Sequence, residues 1–349
     1  MADSGKALVT GANGFIGTRL VAALVERGQA VRALSRRPNP QPDPPPGFGW
    51  TDGGPLASPL VEWARGDIAD RDSLQCGMEG CTEVYHLAAY AKNWAKDPSV
   101  FYEMNVQGMR NVFDAARRQG VQRVVWTSTM LTFGPTPRGQ VFNEDSPRTT
   151  DRYFAEYEET KTIAEQEALA RAAEGFPVVI VNPARVYGPG HLTEGNSVSL
   201  LIDQYDRGLV PFLLNRGVNV GNWVYIDDVV QGHILAMEKG RIGQRYILGG
   251  ENASLRQFFR LVDQASGKRH FQVPVFRYTA LGFAWFLKKR AEWFGVYPQI
   301  SPGWVRMFLA EWAFSTEKAQ RELGYQPTPL AEGLRRTYEW LRRVREERA

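Results

Sequence analysis

The segment that most restricts how this chain can fold lies within its first seventeen residues. A short apolar run, Ala7-Leu8-Val9-Thr10, leads straight into Gly11-Ala12-Asn13-Gly14-Phe15-Ile16-Gly17, and from Ile16 apolar side chains recur at Leu20 and Leu24, the spacing of one helix face. Glycines at positions 11, 14 and 17 allow a tight turn, close approach of backbone N–H groups to a pyrophosphate, and close contact between helix and strand. The helix dipole adds attraction for an anion at that point. Strand, glycine-rich loop and helix in this order supply the context such a loop needs, so Gly11, Asn13, Gly14, Phe15, Ile16 and Gly17 are read as dinucleotide-binding.

The first half of the chain keeps this rhythm. Short β-branched runs at 7–10, 30–35, 60–64, 83–87, 123–128 and 178–182 alternate with helical spacings, among them Val106, Val112 and Ala116, and Tyr157, Ala164 and Ala168. The pattern predicts an α/β fold: a Rossmann-type doubly wound parallel sheet with helices on both faces. Residues 38–59 are dense in Pro and Gly and read as a long surface loop. After Asn182 the alternation stops. Strand-like runs return at 223–226 and 245–248, and from 253 onward the chain reads mainly helical. The expected division is a dinucleotide-binding domain over 1–182, with 221–250 returning to it, and a smaller, mainly helical substrate lobe from 183–220 and 251–349.

Composition narrows the function. Net charge is +4, but the basic residues are spread along the chain rather than interleaved with aromatics, which argues against nucleic-acid binding. No uninterrupted apolar stretch is long enough to span a bilayer, and the first residues run at once into a strand with no room for a signal peptide, so a cytoplasmic protein is expected. Cys76 and Cys81 read as two unpaired thiols, and with four scattered histidines no metal site is expected.

The end of the second strand bears on the cofactor. An acidic residue there suits the ribose 2′-hydroxyl of NAD, and a basic one the 2′-phosphate of NADP. This chain reads Val31-Arg32-Ala33-Leu34-Ser35-Arg36-Arg37, with no carboxylate. Arg36 is placed for charge-assisted bonds to a phosphate, with Arg37 or Ser35 in support, whereas Arg32 belongs to the sheet edge or solvent. NADP is therefore expected ahead of NAD. Asp67, after the third strand, is placed to accept a bond from an adenine amino group.

Tyr157 and Lys161 stand four apart on a predicted helix and project from one face. A free phenol titrates near pH 10, and a neighbouring ammonium together with an oxidised nicotinamide would lower that value and let the phenol exchange protons. The strand over 123–128 ends in hydroxyls at the edge of the sheet where ligands bind, and Ser128 and Thr129 compete as the donor to a reacting oxygen.

Taken together, the 10–17 loop, the Asp67 segment, Val84-Tyr85-His86-Leu87-Ala88-Ala89, Asn105-Val106-Gln107-Gly108, the hydroxyl strand, Tyr157-Glu158-Glu159-Thr160-Lys161, and Asn182-Pro183-Ala184-Arg185-Val186-Tyr187-Gly188-Pro189 resemble the extended short-chain dehydrogenase/reductases. These are the NAD-dependent epimerase/dehydratase-like proteins, and the pattern is most similar to the dihydroflavonol reductase and 3β-hydroxysteroid dehydrogenase branches. The resemblance implies that Tyr157 is the acid/base, that Lys161 also holds the nicotinamide ribose, and that Thr129 aligns with the catalytic Ser/Thr, with Thr127 and Ser128 beside it. It further implies a cofactor groove lined by Ile68, Leu87, Ala88 and Ala89. Asn105 would support the active-site helix or a proton relay, and Pro183, Ala184 and Val186 would pass the nicotinamide carboxamide. His86 reads as a structural strand residue. Relatives of this kind pair through two helices, which here include that of Tyr157, implying a homodimer.

Three functions compete at this stage: a carbonyl reductase or alcohol dehydrogenase, a nucleotide-sugar epimerase or dehydratase with tightly held NAD(P), and a non-enzymatic sensor of the nicotinamide pool. Intact Tyr157, Lys161 and Thr129 weigh against the sensor. Gly221 stands where nucleotide-sugar enzymes of the resembled family carry a phosphate-gripping arginine, although Arg216 or Arg185 could substitute. Phe283, Trp285, Phe286, Trp293 and Phe294 suggest either an aromatic-lined substrate pocket or a helix packed into its own lobe, with contact of Lys288-Lys289-Arg290 to a membrane surface a lesser reading. The balance favours an NADP(H)-dependent oxidoreductase interconverting hydroxyl and carbonyl on a small hydrophobic substrate.

Overall fold

The computed structural model describes residues 5–37, 45–50 and 53–347. Six strands alternate with helices as the spacing predicts: β1 (Lys6–Thr10), β2 (Val31–Ser35), β3 (Val61–Arg65), β4 (Cys81–His86), β5 (Arg123–Thr127) and β6 (Val178–Pro183). All pair in parallel, in the order β6-β5-β4-β1-β2-β3. Parallel strands covered on both faces need apolar side chains in both directions, which is why β1 and β6 read as continuous hydrophobic runs. Ala7 and Val9 point into one buried cluster with Leu20, Val21 and Leu24, and Leu8 points into another with Val112, Ala116 and Ala164.

The second cluster is supplied by α2 (Arg71–Met78), by α4 (Gly108–Arg118), which continues from the short α3 (Ser99–Tyr102) through a π-helical turn at Glu103–Gln107, and by α5 (Glu156–Ala173). The first is supplied by α1 (Phe15–Glu26), and past α6 (Ser197–Asp206) by α7 (Ile226–Lys239), which packs against α1. Helix α7 is a departure from the expected strand over 223–226: Ile226 is its first residue, and the strand ends at Tyr225.

After β6 come β7 (Arg185–Tyr187), β8 (Phe212–Leu214), β9 (Val220–Tyr225), β10 (Arg245–Leu248), β11 (Glu251–Ser254) and β12 (Val273–Val275). Strand β10 joins the principal sheet beside β6 as a seventh parallel strand. The run around 223 does not: β9 lies between β7 and antiparallel β11 in a separate three-stranded sheet. The rest is mainly helical, comprising α8 (Leu255–Ser266), α9 (Arg277–Phe294), α10 (Pro302–Leu309), α11 (Glu317–Leu323) and α12 (Leu330–Glu346).

The Pro- and Gly-rich stretch over 38–59 departs from a simple surface loop at two places; 38–44 and 51–52 lie outside the described residues. Gly54–Ala57 forms a 3-10 turn whose Leu56 is fully buried in the core shared with α1. Upstream, the Trp340 indole donates to the Pro46 carbonyl (2.8 Å) and Arg343 to that of Gly47 (3.2 Å), while the Gly47 N–H donates to Glu347 (2.8 Å). Gly47 has φ +75°, and a Cβ there would lie 2.6 Å from Val344, so the chain passes α12 at a distance only glycine permits.

Trp340 thus ties residues near the N-terminal domain to the last helix. Replacing it with alanine empties a fully buried site and is expected to destabilise the protein by about 3–5 kcal/mol. Chemical denaturation measures the loss, and limited proteolysis should find new cleavage at 45–50.

Candidate active site

Strand order reverses between β1 and β4, so the loops leaving these neighbours diverge to opposite faces and open a crevice at the carboxyl edge of the sheet. Thr10, His86 and Thr127 end their strands along this edge. The crevice is a cavity of about 960 Å3.

Its floor is the glycine-rich loop. Gly11 has φ +71°, and a Cβ there would come within 2.8 Å of the Ala88 nitrogen; one on Gly17 would lie 2.1 Å from the Gly11 carbonyl. Side chains are therefore excluded where the loop touches β4's exit and its own helix. Helix α1 begins with extended Gly14 as N-cap and no side-chain cap, leaving the first-turn N–H groups at the cavity for an anion. These features fit a dinucleotide pyrophosphate. Arg36 and Arg37 are exposed at the rim, and Asp67 lines the wall with its carboxylate accepting from the Ala69 N–H (3.0 Å). Arg32 is engaged elsewhere, bonding Glu62 (2.9 Å) and the Glu79 carbonyl (2.6 Å).

Every residue expected to contact a dinucleotide borders this cavity, as does Thr129. Asn105 does not. It sits in the π-helical turn, accepting from the Tyr90 N–H (2.7 Å) and donating to the Thr160 hydroxyl (3.0 Å), and so braces the 88–92 loop against α5. His86 bonds the Thr10 hydroxyl (2.7 Å), which accepts from the Ala88 N–H (3.2 Å). Burial and the nearby Lys161 push the His86 pKa down to about 3, so this imidazole is a neutral strut between β1 and β4.

Along one stripe of α5, Tyr157, Lys161 and Glu165 are spaced at four residues. The Tyr157 phenol is half-buried beside Thr129, whose hydroxyl acts to lower its pKa, yet desolvation outweighs this and pushes the pKa up to about 12. The Lys161 ammonium, turned away to a strand carbonyl, does not offset this burial by itself; the lowering expected from it is a joint one with an oxidised nicotinamide. The Lys161 ammonium is turned to the Thr127 carbonyl (2.7 Å) and lies 4.3 Å from the Trp126 ring centre, and burial pushes its own pKa down to about 7. Of the two competing hydroxyls, that of Thr129 lies by the phenol and accepts from the Leu131 N–H (3.4 Å), whereas buried Ser128 Oγ at the cavity wall has no hydrogen-bond partner among the described residues.

Several supporting residues escaped sequence reasoning. The Glu165 carboxylate, 3% exposed, accepts from Asn182 (2.6 Å), Thr132 (3.1 Å) and Arg245 (3.1 Å), while Asn182 also donates to the Thr129 carbonyl (3.1 Å). This network fixes the turn carrying Thr129 to the helix carrying Tyr157. Glu158 is buried against Arg148 (2.5 Å), which also donates to carbonyls of the 131–152 segment. Behind the lysine, His233 Nδ1 donates to the Val229 carbonyl (2.7 Å), so its Nε2 accepts from the Thr127 hydroxyl (2.8 Å). Burial holds His233 neutral, its pKa lowered to about 4.

The aromatic stretch is neither a pocket lining nor a lobe core. Phe283, Trp285, Phe286, Trp293 and Phe294 on α9 are all more than half exposed. At the other edge of the lobe, the Arg185 guanidinium lies over Phe308 (4.3 Å) and Trp223 (5.1 Å), donates to the Met307 carbonyl (3.2 Å), and occupies the space a side chain at Gly221 would need.

Residues 7–249 match the NAD dependent epimerase/dehydratase family. The chain is 32% identical over 336 residues to a putative dihydroflavonol 4-reductase from Synechocystis sp., covering 95% of this chain and 93% of the relative. It is 29% identical to a 3 beta-hydroxysteroid dehydrogenase/Delta 5-->4-isomerase from Mycobacterium tuberculosis, covering 93% and 87%. The solved Thermus thermophilus UDP-glucose 4-epimerase complex with NAD superposes with a TM-score of 0.74 at 25% identity, covering 97% of this chain and 99% of that one. The chain belongs to the NAD-dependent epimerase/dehydratase family of extended short-chain dehydrogenase/reductases and is an NAD(P)-dependent oxidoreductase of that type.

The buried lysine has a pH signature. With a folded pKa near 7 against an ordinary 10.5, the unfolded state binds more protons between these values, so stability contributed at Lys161 rises with pH across that window. The Tm of the wild type should climb from pH 7 to 9.5 relative to that of Lys161→Met, and parallel curves would show that the amine is not desolvated.

Proposed function

We propose that this enzyme is an NADP(H)-dependent reductase or dehydrogenase that interconverts a hydroxyl and a carbonyl on a small, hydrophobic substrate. The observation that carries the reading is the half-buried Tyr157 phenol, at the cavity wall beside Thr129 and protonated at neutral pH. Such a group donates a proton to a carbonyl oxygen in the reducing direction. Thr129 orients the phenol, and the unpartnered Ser128 hydroxyl is available to the same oxygen or to the cofactor. A bound nicotinamide supplies or accepts the hydride.

In this reading the 11–17 loop and α1 hold the pyrophosphate, Asp67 and Ile68 the adenine, and Tyr157 and Lys161 the ribose. Pro183, Ala184 and Val186 pass the carboxamide. Arg36 and Arg37, on a strand end without a carboxylate, favour the 2′-phosphate of NADP. Asn105 acts through α5 as a positioning residue. Residues 183–220 and 251–349 make up the substrate lobe, and the names of the reductase and hydroxysteroid relatives support an apolar hydroxy or keto compound. The same reading has the enzyme working in the cytoplasm as a homodimer whose paired helices include α5.

Nucleotide-sugar chemistry is the second reading. Arg185 favours it, a cation at the position opposite Gly221, and a redox-neutral conversion of a UDP- or GDP-sugar would establish it.

Tyr157→Phe should lower kcat by about 100-fold or more in a panel of alcohols and ketones while NADPH binding stays within a few-fold; undiminished turnover would remove the phenol from the chemistry. Replacing Arg36 and Arg37 with alanine should weaken NADPH by about tenfold or more and leave NADH nearly unchanged, as read by fluorescence titration. Equal or tighter binding of NADH by the unaltered protein would reverse the cofactor assignment.

A further inference from the structure

Helix α9 is apolar on two sides, and only one of them is covered. Ala284 and Ala291 are buried, and Leu281 and Leu287 half-buried, on the side that packs against α10. On the opposite side Phe286 and Trp293 are seven residues apart on one line, 57% and 72% exposed, flanked by Phe283, Trp285 and Phe294. A helix apolar all round is ordinarily buried all round. Exposed neighbours extend the surface, with Phe271 82% exposed and Phe276 62% exposed just before the helix. An apolar patch of this extent on a soluble chain marks a contact with something else.

The charges on the same helix indicate what that is. Arg277, Lys288, Lys289 and Arg290 face one acid, Glu292, which pairs with Lys289 (2.7 Å). Lys289 and Arg290 fall on either side of the Phe286–Trp293 line. We propose that this face docks on the surface of an anionic bilayer, with aromatic rings seated at the headgroup boundary and basic groups on lipid phosphates. Phe and Trp beside Lys and Arg on one helix are the chemistry of an interfacial helix. No helix among the described residues is long and apolar enough to cross a membrane, so α9 lies on the bilayer rather than through it.

The surface also leads to the active site. Just beyond α9, the Tyr297 hydroxyl donates to the Glu194 carboxylate, and its ring packs edge-on against Trp94 (5.8 Å). Glu194 lines the catalytic cavity. An apolar substrate dissolved in lipid would then enter from the docked side, a consequence that rests on the hydroxy/keto reading; the docking itself does not.

Vesicle cosedimentation of the full chain tests the proposal without substrate or cofactor, so its outcome is separable from that of the Tyr157 variant. The protein should sediment with phosphatidylglycerol/phosphatidylcholine vesicles, with a blue-shifted tryptophan emission and binding weakened by added salt. Pure phosphatidylcholine should bind about tenfold less. The double variants Phe286→Ser/Trp293→Ser and Lys289→Glu/Arg290→Glu should each cut binding about tenfold while Tm and NADPH affinity hold. Failure of the unaltered protein to bind anionic vesicles, or equal binding by the variants, overturns the proposal. So does a concentration-dependent dimer, in gel filtration, that the aromatic double variant abolishes without any vesicle binding, which would make the face an interface between copies.

Discussion

The site depends on an amine taken out of water. Lys161 is 1% exposed, and among the described residues no carboxylate pairs directly with its head, which has the Thr127 carbonyl and the face of Trp126. Burying a cation on such terms is costly, and its proton is held correspondingly weakly. The surroundings are arranged to keep that cost bounded. His86 and His233 are both neutral, and Glu165, one turn further along α5, raises the lysine's proton affinity from behind. The phenol one turn before it is uncharged at neutral pH as any phenol is, and desolvation holds its proton more firmly still.

Much of the fold was legible because a parallel sheet buried on both faces writes its strands as plain apolar runs, and a phosphate loop writes itself in glycines. The lining of the cavity followed from the same cause, since residues at strand ends face the crevice whatever else the chain does. Tyr157 and Lys161 were visible as one helical spacing. The Glu165–Asn182–Arg245 network was not, because its members lie on three elements whose proximity only the folded sheet creates. His233 was hidden for the same reason: a helix histidine gives no local sign that a threonine on β5 will meet it. Strand β9 looked like its neighbours, yet side-chain alternation does not reveal which partner a strand takes.

The aromatic helix shows a different limit. Spacing reports that side chains are apolar, not what covers them, and α9 satisfies the same pattern with one face packed and the other bare. The Pro- and Gly-rich segment failed in the opposite sense. Residues that break helices and strands need not be loose, and Gly47 and Leu56 show such a chain pressed into a core by a distant helix.

Consider finally the stripe on α5. Tyr157 packs against the turn after β5, Lys161 bonds the last carbonyl of β5, and Glu165 the end of β6, like three teeth of a comb set in separate slots. Sliding the helix by one turn, about 5.4 Å, would unseat all of them together. This stripe is thereby insulated from drift elsewhere in the chain. On the proposed reading, new substrate preferences can arise by rewriting the outer lobe, as a lathe accepts new tooling, while the spindle stays true.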